Sequence, residues 1–312
     1  MARYPALLFE TLFMIDSSWL TEFPDMSRRD LLAIRQTLDS AYRTFSRAYG
    51  QSIEDFFNPL LHFLIWFEDL LIQTPWWIVL AAIVGLVYAA TRSWRLCLGV
   101  LASFLAIGYF GMWEDTMRTL SIITVCTILS ICIGIPIGIL MAGSDRARSI
   151  ITPLLDIMQT MPAFVYLIPV VMLLGIGKIP GVIAVVIYAI PPVIRLTNLG
   201  IRLVNKETLE AATAYGATAT QRLFGVQIPL AMPTIMAGIN QTIMMALAMV
   251  VVASMIGVKG LGQPVLKSIT NQYFTLGLLN GLAIVALAII FDRVSQTYAK
   301  RAQRHMEGND NG

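Results

Sequence analysis

The sequence predicts an all-α integral membrane protein, a polytopic helical bundle of about seven spans. Three observations predict it. Of 312 residues, 57% are hydrophobic and only 13% charged, with a mean hydropathy of +0.71, which is more apolar surface than a water-soluble fold can hide. The apolar residues fall in long continuous runs, as helices need in order to satisfy their backbone inside hydrocarbon, rather than in the alternation of barrel strands. Lys and Arg are sorted unevenly onto alternate loops.

The first 75 residues differ in kind from the rest, with ten acids against six Arg. Residues 1–50 read as an extracytoplasmic tail. Its first apolar run is broken by Glu10 and lacks a small-residue cleavage site, so no removable signal peptide is expected. Ser27 followed by Asp30 resembles a capping box. Leu31, Leu38 and Phe45 repeat every seven residues beside Ile34, Ala41 and Ala48, predicting an amphipathic helix over 27–49 that stops at Gly50. Such a helix packs on the bundle or the membrane surface, or offers a docking face. Residues 51–75 carry Glu54, Asp55, His62, Glu68 and Asp69, charges expensive inside lipid, and read as an interfacial helix leading to the aromatic anchors Trp76 and Trp77. If that segment spans instead, there are eight helices and the tail moves inside.

The seven spans are then 76–91, 94–113, 117–142, 161–177, 179–201, 232–256 and 276–294. The loops on one side carry Arg92, Arg95, Arg146, Arg148, Arg195, Arg202, Lys206, Arg222, Arg293, Lys300, Arg301 and Arg304. The other side carries only Arg118, Lys178, Lys259 and Lys267. Twelve cations against four put the 205–229 loop and the 299–312 tail in the cytoplasm and the N-terminus outside.

Several function classes lose support. The net charge is only +3 and no basic run is interleaved with aromatics, which argues against nucleic-acid binding. Cys97, Cys126 and Cys132 sit in apolar segments at spacings that suit neither zinc nor a disulfide framework. His62 and His305 are too few and too far apart for a metal site or a catalytic dyad. No Gly-x-Ser-x-Gly and no Gly-x-x-x-x-Gly-Lys-Ser/Thr occurs, so the chain has neither a nucleophile elbow nor a phosphate-cradling loop. No catalytic residue, metal ligand or cofactor is expected in it.

The loop 205–229 encodes two short helices. Asn205 caps the first and Gly216 supplies the left-handed residue that ends it. Thr218 with Gln221 makes a capping box for the second, and Pro229 marks the start of the next span. A rigid helix-turn-helix bearing small Ala211 and Ala212 suits close docking in a groove of another protein.

Glu210-Ala211-Ala212, then Gly216, then nine residues to Val226-Gln227-Ile228-Pro229, resembles the coupling motif of ABC importer permeases. In that pattern Glu-Ala-Ala is followed by three residues and Gly, then by nine residues and Ile-x-Leu-Pro. Val226 and Ile228 depart from it conservatively. The stretches from Asp156 through Pro162 and Tyr166 to Pro169, Pro191-Pro192 to Asn198, Gly238-Ile-Asn240 and Ser254 to Gly262 narrow the resemblance to permeases of glycine betaine, proline betaine and choline importers. It covers about residues 76–298.

The resemblance implies a type I ABC importer transmembrane domain over 76–298: two copies of this chain, two cytoplasmic ATPase subunits holding Mg-ATP, and an extracytoplasmic substrate-binding protein in a bacterial inner membrane. It implies that Glu210, Ala211, Ala212 and Gly216 seat in the ATPase while Val226, Ile228 and Pro229 pack the loop onto the bundle. Prolines 136, 162, 169, 191 and 192, with Gly134, Gly138, Gly175 and Gly181, supply hinges and close packing. A quaternary ammonium offers no N–H, so aromatic faces suit it better than hydrogen-bond acceptors. Phe164, Tyr166 and Tyr188 are candidates for the translocation path, and Asp156 with Gln159 for its cytoplasmic edge. The rival class is an ion-coupled secondary transporter or channel, against which the span interiors hold almost no acids. A non-transporting scaffold would leave the loop unexplained.

Overall fold

The computed structural model describes residues 25–307, with side chains through Arg301. The readings placed on residues 1–24, on the end of the C-terminal tail, and on the side chains of Arg304 and His305 lie outside those residues. The chain divides into two compact units, Met1–Gln51 and Ser52–Gly312.

Helix α1 runs over Arg28–Gln73. It opens as the capping box predicts: the Ser27 hydroxyl donates to Asp30 Oδ2 at 2.7 Å and accepts from the Asp30 amide at 3.2 Å. The predicted stop at Gly50 is corrected, because the helix continues through it. A mid-helix glycine costs about 1 kcal/mol, and with neither a proline nor a capping residue directly after it, cooperative propagation wins. Within the first unit, Leu31, Ile34, Leu38 and Phe45 of the predicted stripe are exposed.

The second unit is the bundle: α2 (Trp76–Thr91), α3 (Trp94–Tyr109), α4 (Trp113–Gly143), α5 (Asp145–Thr160), α6 (Ala163–Leu174), α7 (Lys178–Ala189), α8 (Pro191–Arg202), α9 (Lys206–Ala214), α10 (Ala219–Arg222), α11 (Ile228–Ala253), α12 (Gly262–Asn271) and α13 (Phe274–Glu307). Among the described residues, four stretches are long and apolar enough to cross a membrane: Trp113–Gly143, Lys178–Arg202, Ala219–Ile256 and Phe274–Arg301. Two bent pairs, α1 with α2 at 111° and α5 with α6 at 100°, also qualify when each is taken together, and α3 is a shorter apolar helix. The predicted span 161–177 is therefore the short α6, preceded by α5. The break falls at Met161, held extended by the proline that follows it.

α8 lies at the centre, packed against both α4 and α11. Small residues make this possible. At Gly138 an added Cβ would stand 2.6 Å from Thr197 Cβ and 2.8 Å from the Ile194 carbonyl oxygen. With no hydrophobic drive between helices in lipid, such close approach is what holds them together. α11 and α13 run antiparallel and are pinned by Asn240, whose amide donates to Asp292 at 2.9 Å and whose carbonyl accepts from Ser295 at 2.6 Å.

The charged side chains gather at two ends. At one, Arg202 pairs with Asp145 at 2.7 Å and donates to the Met141 carbonyl, while Arg301 donates to the Ala89 carbonyl at 2.9 Å. At the other, Glu68 of α1 is buried and receives Lys178 at 2.8 Å and Arg118 at 3.5 Å. Arg118 also pairs with Glu114 and Asp115. The carboxylate that made 51–75 an awkward membrane segment is thus compensated by cations from two other helices. Glu68→Ala should strand Lys178, leave Arg118 with only Glu114 and Asp115, and cost about 3 kcal/mol, read as a lowered Tm of the detergent-solubilised chain. Glu68→Gln, which keeps an acceptor for Lys178, should lose less, and an unchanged Tm for the alanine variant would contradict the pairing's structural role.

Candidate functional site

Two places contain the sequence-predicted site residues, and the first is the loop between α8 and α11. Asn205 Oδ1 accepts from the Glu207 amide at 2.9 Å and starts α9. Gly216 ends it with φ +81°, and the Ala217 amide closes on the Ala212 carbonyl at 3.0 Å, a wrap that needs the left-handed residue. Thr218 and Gln221 form the full capping box of α10. Arg222 then donates to the Thr213 hydroxyl at 2.8 Å, fastening the second helix to the first. The loop is thus rigid while exposed: α9 buries no residue at all.

α10 does not end before the span, contrary to the two-short-helices expectation. It passes through a π turn, Leu223–Gln227, straight into α11, making one apolar helical stretch from Ala219 to Ile256. Pro229 explains the turn, since it has no N–H to give to a carbonyl four residues back, and a wider turn re-routes the ladder there. The Ile228 amide accordingly reaches the Leu223 carbonyl.

Glu210 and Ala211 are exposed, and Ala212 is half-buried. Glu210 has no ion pair among the described residues. Ile228 packs with Leu223 against Ile201, Ala231 and Ile235, whereas Val226 is half-buried outside that cluster. Sequence reasoning missed three residues here: Leu223, which joins Ile228 in the packing, and Tyr215 and Phe224, large side chains left 94% and 61% exposed. An aromatic residue beside a helix-ending glycine in a loop already read as a docking element was the available signal for Tyr215.

The second place is the α5–α6 break with the facing ends of α7 and α8. Asp156 pairs with Arg195 of α8. Tyr166 and Tyr188 meet edge to face, ring centroids 5.8 Å apart, and the Tyr166 hydroxyl donates to the Met158 carbonyl across the break. Tyr166 is buried and Tyr188 half-buried. Phe164 and Gln159 are exposed and are not drawn into this cluster. The structure therefore unites Tyr166 with Tyr188, pairs Asp156 with a partner that lies in one of the resemblance-bearing stretches, and leaves Phe164 as the aromatic with a free face.

Comparison with known proteins places this geometry. Residues 134–304 match the family described as binding-protein-dependent transport system inner membrane component. The glycine betaine/proline betaine transport system permease protein ProW of Escherichia coli K12 is 49% identical over 247 residues, 78% of this chain and 68% of that one. The glycine betaine/carnitine transport permease protein GbuB of Listeria monocytogenes is 43% identical over 259 residues, 80% of this chain and 91% of that one. The glycine betaine transport system permease protein OpuAB of Bacillus subtilis is 46% identical over 228 residues, 72% and 80%. Among solved structures, the inward-facing MetNI methionine ABC transporter matches with TM-score 0.55 at 19% identity, covering 59% of this chain and 93% of that one. This last likeness shares the fold.

Proposed function

The chain belongs to the binding-protein-dependent transport system inner membrane component family, and from that premise we propose that it is half of the pore of an ATP-driven importer for a quaternary ammonium solute such as glycine betaine or choline. The observation that carries the reading is the largely exposed helix-turn-helix of 205–222, braced internally by the Arg222–Thr213 bond, whose second helix runs without interruption into the spanning α11. A push on α9 passes to α10 through the turn at Gly216 and the Arg222–Thr213 bond, then along one helix into α11, and through α11 to α8 and α13, which pack on it. That is the mechanical requirement for a bundle driven from outside itself.

Two copies of the chain enclose the path, two cytoplasmic ATPase subunits hold Mg-ATP, and an extracytoplasmic binding protein delivers the solute. The end carrying Arg202 and Arg301 is cytoplasmic, the end carrying Glu68 and Lys178 faces out, and seven spans leave the N-terminus outside. ATPase closure brings the two loops together and opens the path outward; hydrolysis resets it. Glu210, Ala211, Ala212, Gly216 and Tyr215 make the ATPase contact, while Leu223, Ile228 and Pro229 hold the loop to the bundle. Along the path Phe164 offers the free aromatic face, Tyr166 braces Tyr188, and the Asp156–Arg195 pair with Gln159 lines the cytoplasmic exit. Asp292 is the acid that a secondary-transport reading would enlist, but Asn240 and Gln296 amides donate to it, at 2.9 and 2.7 Å, which supports a stapling role instead.

The test is uptake of labelled glycine betaine in cells lacking other betaine uptake and expressing the chain with its ATPase and binding protein. Unlabelled glycine betaine, choline, proline betaine, carnitine or trimethylamine N-oxide should compete, and methionine should not. Competition by methionine alone would sink the solute assignment.

A further inference from the structure

The geometry points to a binding site for one anionic phospholipid in the cleft between α3 and α13, with its headgroup between Arg95 and Arg293 and an acyl chain in the apolar groove beside it. The inference rests on the membrane embedding alone, not on the solute or the ATPase. The cleft, of about 220 Å3, has both arginines among its lining residues, and the rest of its wall is formed largely by apolar side chains such as Leu96, Val100 and Ile289. It shares Ile290 and Val294 with a larger groove of about 470 Å3, bounded by Leu71, Ile83, Val87 and Phe291 and almost wholly apolar. A pair of cations lining a cleft that adjoins an apolar groove matches an amphiphile with a charged head and hydrocarbon tails.

The charges are available for it. Neither Arg95 nor Arg293 has an ion pair or hydrogen bond among the described residues. Among the described residues, three acids of this end are engaged elsewhere: Asp292 by Asn240 and Gln296, Asp145 by Arg202, and Asp156 by Arg195. The level in the bilayer also fits. Exposed Trp94 sits next to Arg95, whose guanidinium lies 5.8 Å from the indole centroid, and exposed Tyr88 carries Arg92 at 5.9 Å. Aromatic rings in this setting mark the headgroup region. A second copy of this chain is a poorer occupant, because a self-complementary contact here would oppose arginine with arginine.

The test is native mass spectrometry of the purified full-length chain titrated with phosphatidylglycerol or phosphatidylcholine. One phosphatidylglycerol should bind about 25-fold more tightly than phosphatidylcholine, for two cations near a headgroup. Arg95→Gln with Arg293→Gln should erase that preference, with an unchanged Tm showing that the bundle is intact. Arg146→Gln with Arg148→Gln, two exposed cations at the same end, should keep it. Equal binding of the two lipids by the unaltered chain would overturn the proposal, as would undiminished preference in the Arg95/Arg293 variant. Displacement of the lipid by millimolar inorganic phosphate would overturn it in favour of a free anion, and a lipid-free dimer that forms only while both arginines are present would overturn it in favour of a second copy.

Discussion

Gly216→Trp should reduce ATP-dependent uptake by about 100-fold while the chain still inserts and purifies normally, the effect expected when a central docking residue worth about 3 kcal/mol is lost. The φ of +81° at Gly216 is the conformation that an L side chain resists, yet an added Cβ there meets nothing within 4 Å. Within the chain, the substitution therefore costs about 1–2 kcal/mol of local backbone strain at the end of a helix that buries no residue. The indole instead occupies the surface proposed to meet the ATPase, next to Tyr215 and one turn from Ala212. Gly216→Ala separates the two terms. It carries the strain without the bulk and should keep most of the uptake. Co-purification of the ATPase with each variant reads the docking directly, and retention of the ATPase with full transport by the tryptophan variant would remove the loop from the coupling path.

Gly138→Leu should act at the opposite level and prevent the bundle from assembling. Its Cβ would fall inside the van der Waals envelope of Thr197 and of the Ile194 backbone, and backbone cannot rotate away as a flexible side chain can. α8 would have to leave α4, and because α8 also packs on α11, the displacement reaches the core. The expected cost is about 3 kcal/mol or more, at the upper end for overpacking. It should be seen as loss of the monodisperse peak in size-exclusion chromatography. Gly143→Ala, five residues on where nothing lies within 4 Å, is the matched control and should leave the peak unchanged.

What could be read from the residues alone divides by range. The apolar runs and the caps at Asn205, Gly216 and Thr218–Gln221 are properties of a few consecutive residues, so they were legible in the sequence. The stop at Gly50 was local too but misread, because a single glycine is a weak breaker inside a long helix-compatible stretch. The partners of Glu68 lie on α4 and at the start of α7, the partner of Asp156 on α8, and that of Asn240 on α13. No spacing rule reaches such pairs; packing decides them. The π turn before Pro229 was hidden for another reason. Proline announced a break, but whether the chain breaks or the hydrogen-bond ladder widens depends on the helices on either side.

Under the proposed function, this bundle transports nothing by itself and is driven through 205–222 by an ATPase. The most direct test is accumulation of labelled glycine betaine by proteoliposomes containing the chain alone, compared with the chain plus ATPase, binding protein and ATP. Accumulation against a gradient is expected only in the complete, ATP-supplied system. Accumulation by the chain alone, driven by a proton or sodium gradient, would contradict it.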